Sequence, residues 1–240
     1  MQARAGSTRR SLLETAAHLF HERGFAGTSI NDIGKASGLT SGAIYFHFAN
    51  KDALARAIVE AQFDSWPELV ERHDGVEERA LEALMRLSFA VAGRFRDDPV
   101  VRGGARLWEE RHAIDATLPT PFVDWIATVR TLLDRAREQG DLAPRIDPAV
   151  AAHTIVCAFF GLHTVADALS ARADIEQDLT HLWSLLLPAL LADQGDADDL
   201  LVRCSAPAER SEGRAYTRHL PASAPSVVIA AANDVSSPTT

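Results

Sequence analysis

The chain has 240 residues, of which 47% are hydrophobic and 24% are charged, and this is the profile of a soluble globular protein with a sizeable core. Its two cysteines, Cys157 and Cys204, form no metal-binding or disulfide pattern, which indicates a reducing cytoplasm. No apolar stretch follows the basic start, so the sequence predicts no signal peptide.

The net charge of −9 argues against nucleic-acid binding until its distribution is considered. Residues 1–56 carry seven basic and four acidic side chains, a net charge of +3, and they include both lysines of the chain. The remaining residues therefore sum to −12. A basic N-terminal segment on an acidic body can approach phosphate while the body stays away from it.

Apolar residues recur at helical spacing along nearly the whole chain and strand signals are scarce, which predicts an all-α fold of about nine helices. The first helix opens with a capping box at Ser11 and ends at Gly24. Pro67 either kinks or ends the fourth helix. The remaining helices are predicted over 29–38, 40–46, 50–66, 76–96, 101–111, 120–140, 147–171 and 174–193.

The segment from Thr28 to Lys51 has the pattern of a helix-turn-helix. Ala36 is small enough for a second helix to cross closely, and Gly38 supplies the turn. The next helix begins with small, mostly polar residues, so its N-terminus can enter a major groove. The residues predicted to contact DNA are Thr28, Ser29, Thr40, Ser41, Gly42, Ala43, Tyr45, His47 and Lys51.

Three of these residues are assigned to the phosphate backbone. Tyr45 and His47 are expected to face outward and bond phosphate oxygens, and Lys51 is expected to add a positive charge at a third phosphate. The alternatives are that Tyr45 is packing, that His47 is an ordinary surface residue and that Lys51 is a solvated lysine.

The same segment resembles the N-terminal domain of the TetR family of repressors. The resemblance is carried by Gly24-Phe25, Thr28, Ile33, Gly38, Gly42-Ala43-Ile44-Tyr45-Phe46-His47-Phe48 and Lys51. Ser41 departs from the family, whose members commonly have lysine there. The resemblance implies a helical C-terminal domain that binds a small effector and forms the dimer.

The C-terminal half is similar to the γ-butyrolactone autoregulator receptors, which control antibiotic production and development in filamentous actinomycetes. The similar stretches are residues 80–87, 104–107, 121–125 and 153–157. Residues 95–100 and 114–119 resemble the branch of these receptors that senses furan-type hormones. The resemblance implies that Trp125 lies in a ligand cavity.

An effector cavity needs apolar walls and a few polar groups. The candidate ligand-binding residues are Phe63, Trp66, Leu87, Arg106, Trp108, Phe122, Trp125, Thr154, Phe159 and His163, with plain core packing as the alternative for each aromatic side chain. The two tyrosines, Tyr45 and Tyr216, lie in the head and the tail, so other donors must hold the ligand.

The last two long helices are predicted to form the dimer as a four-helix interface. Their apolar residues at bundle spacing are Ala152, Val156, Phe160, Leu182, Leu186 and Leu190. The apolar run 149–169 also contains His153, His163 and Asp167, so it is expected to be a buried helix and not a membrane span.

The sequence therefore predicts a three-helix helix-turn-helix domain over 1–50, a ligand-binding and dimerisation domain over 51–195 and a disordered tail over 196–240. We expect a homodimeric repressor that binds near-palindromic double-stranded operator DNA. A lactone- or furan-like effector would release it by favouring a state in which the helix over 50–66 tilts. The alternative is a drug- or antibiotic-sensing repressor of an efflux or resistance gene.

No enzyme and no cofactor is predicted. The chain lacks a Ser-His-Asp arrangement, a Gly-rich phosphate loop and a His-Glu-x-x-His motif. A metal sensor is the remaining alternative, and its possible ligands are His112, His153, His163 and Asp167.

Overall fold

The computed structural model of the protein describes residues 2–73 and 79–205, with the backbone alone for residues 2–7. The helices are α1 (Gln2–Arg23), α2 (Ile30–Ser37), α3 (Ser41–His47), α4 (Lys51–Phe63), α5 (Trp66–His73), α6 (Ala80–Asp97), α7 (Pro99–Glu109), α8 (Phe122–Glu138), α9 (Pro148–Ser170), α10 (Ile175–Leu190) and α11 (Ala197–Ser205). Single 3₁₀ turns cover Arg111–Ala113 and Gln194–Asp196. The only β pairing among the described residues is an isolated bridge between Leu142 and Leu191, so the all-α prediction is confirmed.

The predicted starts of the helix-turn-helix are confirmed by their caps. The Ser29 side chain accepts from the backbone N–H of Asp32, and the Asp32 carboxylate accepts from the backbone N–H of Ser29. Thr40 and Asn50 cap α3 and α4 through their side-chain oxygens. Gly38 ends α2 with φ of +71°, a conformation that favours glycine.

Several helix boundaries differ from the predictions. Helix α1 begins at Gln2, well before the predicted capping box at Ser11. Pro67 does not kink α4, which ends at Phe63, three residues before the predicted Trp66. Pro67 lies in the first turn of α5, a separate helix that was not predicted, where a missing N–H costs nothing. The predicted helix over 76–96 begins at Ala80, and its residues 76–78 lie outside the described part of the chain.

Helix α11 was not predicted, and its residues were assigned to the disordered tail. Leu200 and Cys204 lie four residues apart and are both buried, and α11 packs against α6 and α10. The tail prediction is therefore wrong for residues 197–205. One pair of core-facing residues within nine is too weak a periodic pattern to predict this helix. Residues 206–240 lie outside the described residues.

The apolar interior consists of two clusters. The first, here the head core, is formed by α1–α4 together with Leu107 of α7 and Ile114 in the loop after it. The second, here the body core, is formed mainly by α5, α6 and α8–α11. Helix α7 therefore packs within the head, against α1 and α4, although it lies far from them in sequence. The predicted domain division at residue 50 remains a prediction.

Two adjacent glycines allow α7 to approach both helices. A Cβ atom at Gly103 would lie 2.4 Å from the carbonyl oxygen of Ala17 on α1. A Cβ atom at Gly104 would lie 2.2 Å from the side-chain oxygen of Gln62 on α4. At Gly103 the neighbouring atoms are backbone, so any side chain there would hold α7 away from α1, whereas at Gly104 the neighbour is the side chain of Gln62.

Candidate DNA-binding surface and effector cavity

The second helix of the helix-turn-helix, α3, is anchored by two buried residues and exposes the side chains between them. Ile44 and Phe48 are buried in the head core, whereas Tyr45 and Phe46 project into solvent. The close crossing of α2 and the following turn depends on Gly34, whose Cβ would lie 2.8 Å from the carbonyl oxygen of Leu39. Ala36, to which the sequence analysis assigned this role, is exposed.

Most of the residues predicted to contact DNA lie on this surface. Ser29, Thr40, Gly42 and Tyr45 are exposed, and Ser41, Ala43 and His47 are half-buried. The hydroxyl of Ser41 donates to the side-chain oxygen of Asn31, so α2 already holds this side chain. Their contacts with DNA remain predictions.

Thr28 is wrong as a DNA contact. Its side chain is 1% exposed, and its hydroxyl bonds to the carbonyl oxygens of Leu19 and Gly24. This hydroxyl therefore closes the turn between α1 and α2 from inside. Thr28 matches the family pattern because its hydroxyl closes this turn. The pattern alone does not show whether the hydroxyl faces the interior or the DNA.

The Lys51 side chain is bound to its own chain and is not a solvated lysine. Its ammonium group donates to the carbonyl oxygens of Phe25 (2.9 Å) and Thr28 (3.2 Å) and lies 4.0 Å from the centroid of the Phe25 ring. It ties the start of α4 to the turn between α1 and α2. An ammonium group has three donors, so a phosphate contact remains a prediction.

Sequence analysis missed Phe46. Its side chain is 86% exposed, beside His47 with ring centroids 5.3 Å apart. The helical period already places position 46 outward, next to Tyr45. The sequence analysis assigned Phe46 no role beyond its place in the family motif.

An apolar cavity lies in the body core between α6, α8, α9 and α10. The space between its walls is about 520 Å³, with the open solvent at its mouth included. Its walls are Leu84, Leu87, Ser88, Val91, Trp125, Val129, Ile155, Val156, Phe159, Phe160, Leu179, Leu182, Trp183 and Leu186.

Three predicted ligand-binding residues line this cavity, and a fourth lies behind its wall. Leu87, Trp125 and Phe159 line it, and Trp66 supports the wall from behind, with its ring centroid 5.4 Å from that of Trp125. The tryptophan implied by the family resemblance therefore does face a cavity, although its contact with a ligand remains a prediction.

Three other residues predicted to bind the ligand lie outside this cavity. Phe63 packs against the head core. Arg106 pairs with Glu110 (2.7 Å), and Thr154 is exposed on α9, where its hydroxyl bonds to the carbonyl oxygen of Val150. Helical spacing places these side chains on a face, but it does not reveal which neighbouring helix the face meets.

Trp108, Phe122 and His163 lie behind the cavity wall. The Phe122 ring is 4.9 Å from that of Trp108 and 4.7 Å from that of Phe160, which lines the cavity. His163 is 4% exposed and stacks on Phe95 with ring centroids 4.2 Å apart. None of the three is a wall residue, so their assignment as direct ligand contacts is not supported.

Sequence analysis also missed the polar part of the wall. The indole N–H of Trp183 on α10 donates to the hydroxyl of Ser88 (2.8 Å), and that hydroxyl donates to the carbonyl oxygen of Met85 (2.6 Å). No lining side chain carries a charge. The wall is therefore almost wholly apolar, because the Trp183 N–H and the Ser88 O–H are already used in these two bonds.

The residues predicted for the dimer interface face the inside of their own chain. Val156, Phe160, Leu182 and Leu186 line the cavity, and Ala152 and Leu190 are buried in the body core. The apolar stripe on these two helices was predicted to be the dimer interface, but it packs into the core of its own chain.

The residues proposed for a metal sensor do not form a site. Among the described residues, no three histidine, cysteine or carboxylate side chains lie close enough to hold one ion. Asp167 pairs with the buried guanidinium of Arg172 at 2.7 Å.

The surroundings of His163 strongly disfavour its charged form. Burial, and to a lesser extent the positive charge of Arg172, lower the pKa of His163 to about 3. The ring is therefore neutral at pH 7 and acts as an aromatic neighbour of Phe95.

Replacing His163 with phenylalanine is expected to flatten the dependence of stability on pH. The unfolded chain protonates His163 below about pH 6.5, whereas the folded protein does so only near pH 3. Between these values the unfolded state binds more protons, so stability falls as the pH falls. At pH 5 the loss relative to pH 8 is about 2 kcal/mol. Urea unfolding at both pH values measures it in the wild type and in H163F.

The matched control removes the exposed His153 from the same helix. H153F is expected to lose as much stability between pH 8 and pH 5 as the wild type does. If H163F loses as much stability as the wild type between pH 8 and pH 5, the lowered pKa of His163 does not cause the pH dependence.

Two family models match separate parts of the chain. Residues 12–58 match the model described as bacterial regulatory proteins, tetR family, and residues 78–192 match the model described as tetracyclin repressor-like, C-terminal domain. The first covers the helix-turn-helix and the second covers every wall of the cavity.

Known proteins are similar over most of the chain. The A-factor receptor protein of Streptomyces griseus is 35% identical over 189 residues, which are 79% of this chain and 66% of that protein, just under two thirds of its length. A structure described as the molecular basis for control of antibiotic production by bacterial hormones is 43% identical, with 78% of this chain and 98% of that chain covered and a TM-score of 0.72. A γ-butyrolactone receptor structure, described as an ArpA-like protein, is 33% identical, with 84% and 98% covered and a TM-score of 0.72.

Proposed function

The chain belongs to the TetR family of bacterial transcriptional regulators, and on that premise we propose that it is a homodimeric repressor that leaves its operator when a small hormone-like molecule enters the cavity between α6, α8, α9 and α10. The observation that carries the proposal is this uncharged cavity in the same chain as an exposed recognition helix. TetR-family proteins are DNA-binding regulators and not enzymes.

The recognition surface supports binding in the major groove of double-stranded DNA. The first turn of α3 presents Ser41, Gly42 and Ala43, whose small side chains let this end of the helix enter the groove. Tyr45 and His47 follow near the end of the same helix. Two such heads in a symmetric dimer fit a near-palindromic operator with its half-sites about one helical turn apart or more.

An uncharged face of α9 supports the homodimer. Its exposed positions follow one another at three- or four-residue spacing: Val150, Thr154, Cys157, Gly161, Val165 and Ala168. A helix face of this length without a charge is expected to be covered by another molecule. Among the described residues, α9 is also the one helix apolar and long enough to span a membrane, with a mean hydropathy of 1.7, but its other face packs into the body core.

The chemistry of the cavity favours a ligand with an alkyl chain and a compact polar head. Apolar walls bind the chain, and among the described wall residues the Trp125 indole is the group that can orient a lactone or furan head, since the Trp183 N–H and the Ser88 O–H donate within their own chain. Three relatives that are 33–43% identical over most of this chain are described as an A-factor receptor, a γ-butyrolactone receptor and a protein in the control of antibiotic production by bacterial hormones, which favours a signal of antibiotic production over a drug-sensing role. We place this regulation in the cytoplasm.

An operator-release assay tests the proposal. The wild-type protein selects its site from a randomised pool of DNA duplexes, and fluorescence anisotropy then follows release by α-heptyl-γ-butyrolactone, by a 2-alkylfuran-3-carboxylic acid and by a culture extract of an antibiotic-producing actinomycete. Release by at least one hormone class, and none by γ-butyrolactone without its chain, is expected. A ligand that binds tightly but leaves operator affinity unchanged would refute the switch.

Replacing Phe46 with alanine is expected to weaken operator binding about tenfold, because the exposed ring loses apolar contact with a thymine methyl group or a sugar. The free energy of unfolding is expected to change by less than about 0.5 kcal/mol, since the ring packs against little of its own chain. Val123→Ala, also exposed but on α8, is the control and is expected to bind the operator as the wild type does. Equal affinities for F46A and V123A would place Phe46 outside the DNA interface.

A further inference from the structure

The turn between α1 and α2 is held by charged side chains from two other helices. The backbone N–H of Phe25 donates to the Glu110 carboxylate at the end of α7 (2.6 Å), and the carbonyl oxygen of Phe25 accepts from the Lys51 ammonium at the start of α4 (2.9 Å). Hydrogen bonds to charged groups are about twice as strong as bonds between neutral groups. Phe25 is therefore the residue at which α4 and α7 jointly hold the helix-turn-helix.

A second contact fixes the segment that follows α7. The Asp52 carboxylate accepts from the backbone N–H of Asp115 (2.8 Å), and Ile114 is buried in the head core between the two contacts. The segment Glu110–Asp115, here the clasp, is thus attached to the head at both of its ends.

Gly24 leaves the space that the clasp needs. A Cβ atom at this position would lie 2.7 Å from one carboxylate oxygen of Glu110 and 3.0 Å from the other. Gly24 also has φ of +71°, which favours glycine. The turn is therefore shaped to receive the carboxylate.

Aromatic contacts connect the clasp to the effector cavity. Trp108 lies two residues before Glu110, and the Arg111 guanidinium lies 4.1 Å from its ring centroid. Phe122 stands between Trp108 and Phe160, with ring centroids 4.9 and 4.7 Å from theirs, and Phe160 lines the cavity. A change at the cavity wall therefore has a packed route to the end of α7.

We propose that Glu110 is a positioning residue for DNA binding, which sets the orientation of the helix-turn-helix from α7 without touching DNA and is reached from the cavity through Phe160, Phe122 and Trp108. The inference rests on the proposed function and names the element on which the effector acts. An effector that binds better with the cavity wall displaced shifts the population toward a state in which the Glu110 bond to Phe25 is broken.

Three variants test the role of Glu110. E110A removes the acceptor, E110Q keeps an acceptor oxygen without the charge, and E109A removes a neighbouring exposed carboxylate on the same helix. Operator affinity is measured by anisotropy at several salt concentrations, on the duplex that the wild type selects. Hydrogen exchange of residues 24–48 is measured without DNA, and thermal unfolding shows that each variant is folded.

E110A is expected to bind the operator about tenfold more weakly with an unchanged salt dependence, because no phosphate contact is lost. Its amides in residues 24–48 are expected to exchange about tenfold faster. E110Q is expected to recover most of both losses and E109A to match the wild type. Wild-type affinity and exchange in a folded E110A, or a loss that E109A shares, would overturn the proposal. Failure of the proposed function is distinguishable, since the wild type would then select no duplex.

Discussion

Replacing Gly103 with alanine is expected to destabilise the protein, although alanine favours helices. The helix propensity of alanine contributes about 1 kcal/mol in favour of the variant. Against this, the new Cβ atom would lie 2.4 Å from the carbonyl oxygen and 2.7 Å from the Cα of Ala17, and these backbone atoms move only if α1 and α7 separate. Overpacking of this kind costs about 1–3 kcal/mol and more where backbone must shift. We therefore expect a net loss of about 2 kcal/mol or more.

Gly93 is the matched control, because it also lies inside a helix but has open space around the position of a Cβ atom. G93A is expected to stabilise the protein by about 0.5–1 kcal/mol. Urea unfolding of both variants at one protein concentration gives the comparison, because the stability of a dimer depends on concentration. Gains of similar size in both variants would show that α7 does not approach α1 as closely as the structure places it.

The local structure of the helix-turn-helix was predictable because its signals are local. Ser29, Thr40 and Asn50 cap helices by accepting from backbone N–H groups three residues away, and Gly38 has a positive φ angle that favours glycine. Such interactions depend on neighbours in the sequence, so a reader of the sequence can identify them.

The position of α7 was not predictable for the opposite reason. Gly103 and Gly104 are informative only once Ala17 and Gln62 are known to lie against them, and these residues are more than 40 positions away. The same limit explains Arg106 and Thr154, whose predicted contacts required the wrong neighbouring helices. Helical spacing shows that a face is apolar or polar, but not what packs against it.

The largest effect on function is expected from a single substitution in the face that we assign to the dimer. Leu185 on α10 is 77% exposed, and it lies on one face with Gln177, His181 and Pro188, all exposed at three- or four-residue spacing. Helix α10 packs beside α9, whose uncharged face is also exposed. Placing arginine at position 185 would put two like charges near the two-fold axis or bury an unpaired charge against the partner.

L185R is therefore expected to be monomeric at micromolar concentration in analytical ultracentrifugation and to lose about 100-fold or more in operator affinity, because each head then binds its half-site alone. The control is V202R on α11, where a valine that is 71% exposed receives the same charge. V202R is expected to stay dimeric and to bind as the wild type does. If V202R dissociates instead, the dimer interface lies at α11. The two heads would then be held at their spacing by a different pair of helices. A monomeric L185R that keeps full operator affinity would mean that one head is sufficient for binding. The proposed near-palindromic operator would then not follow from a dimer.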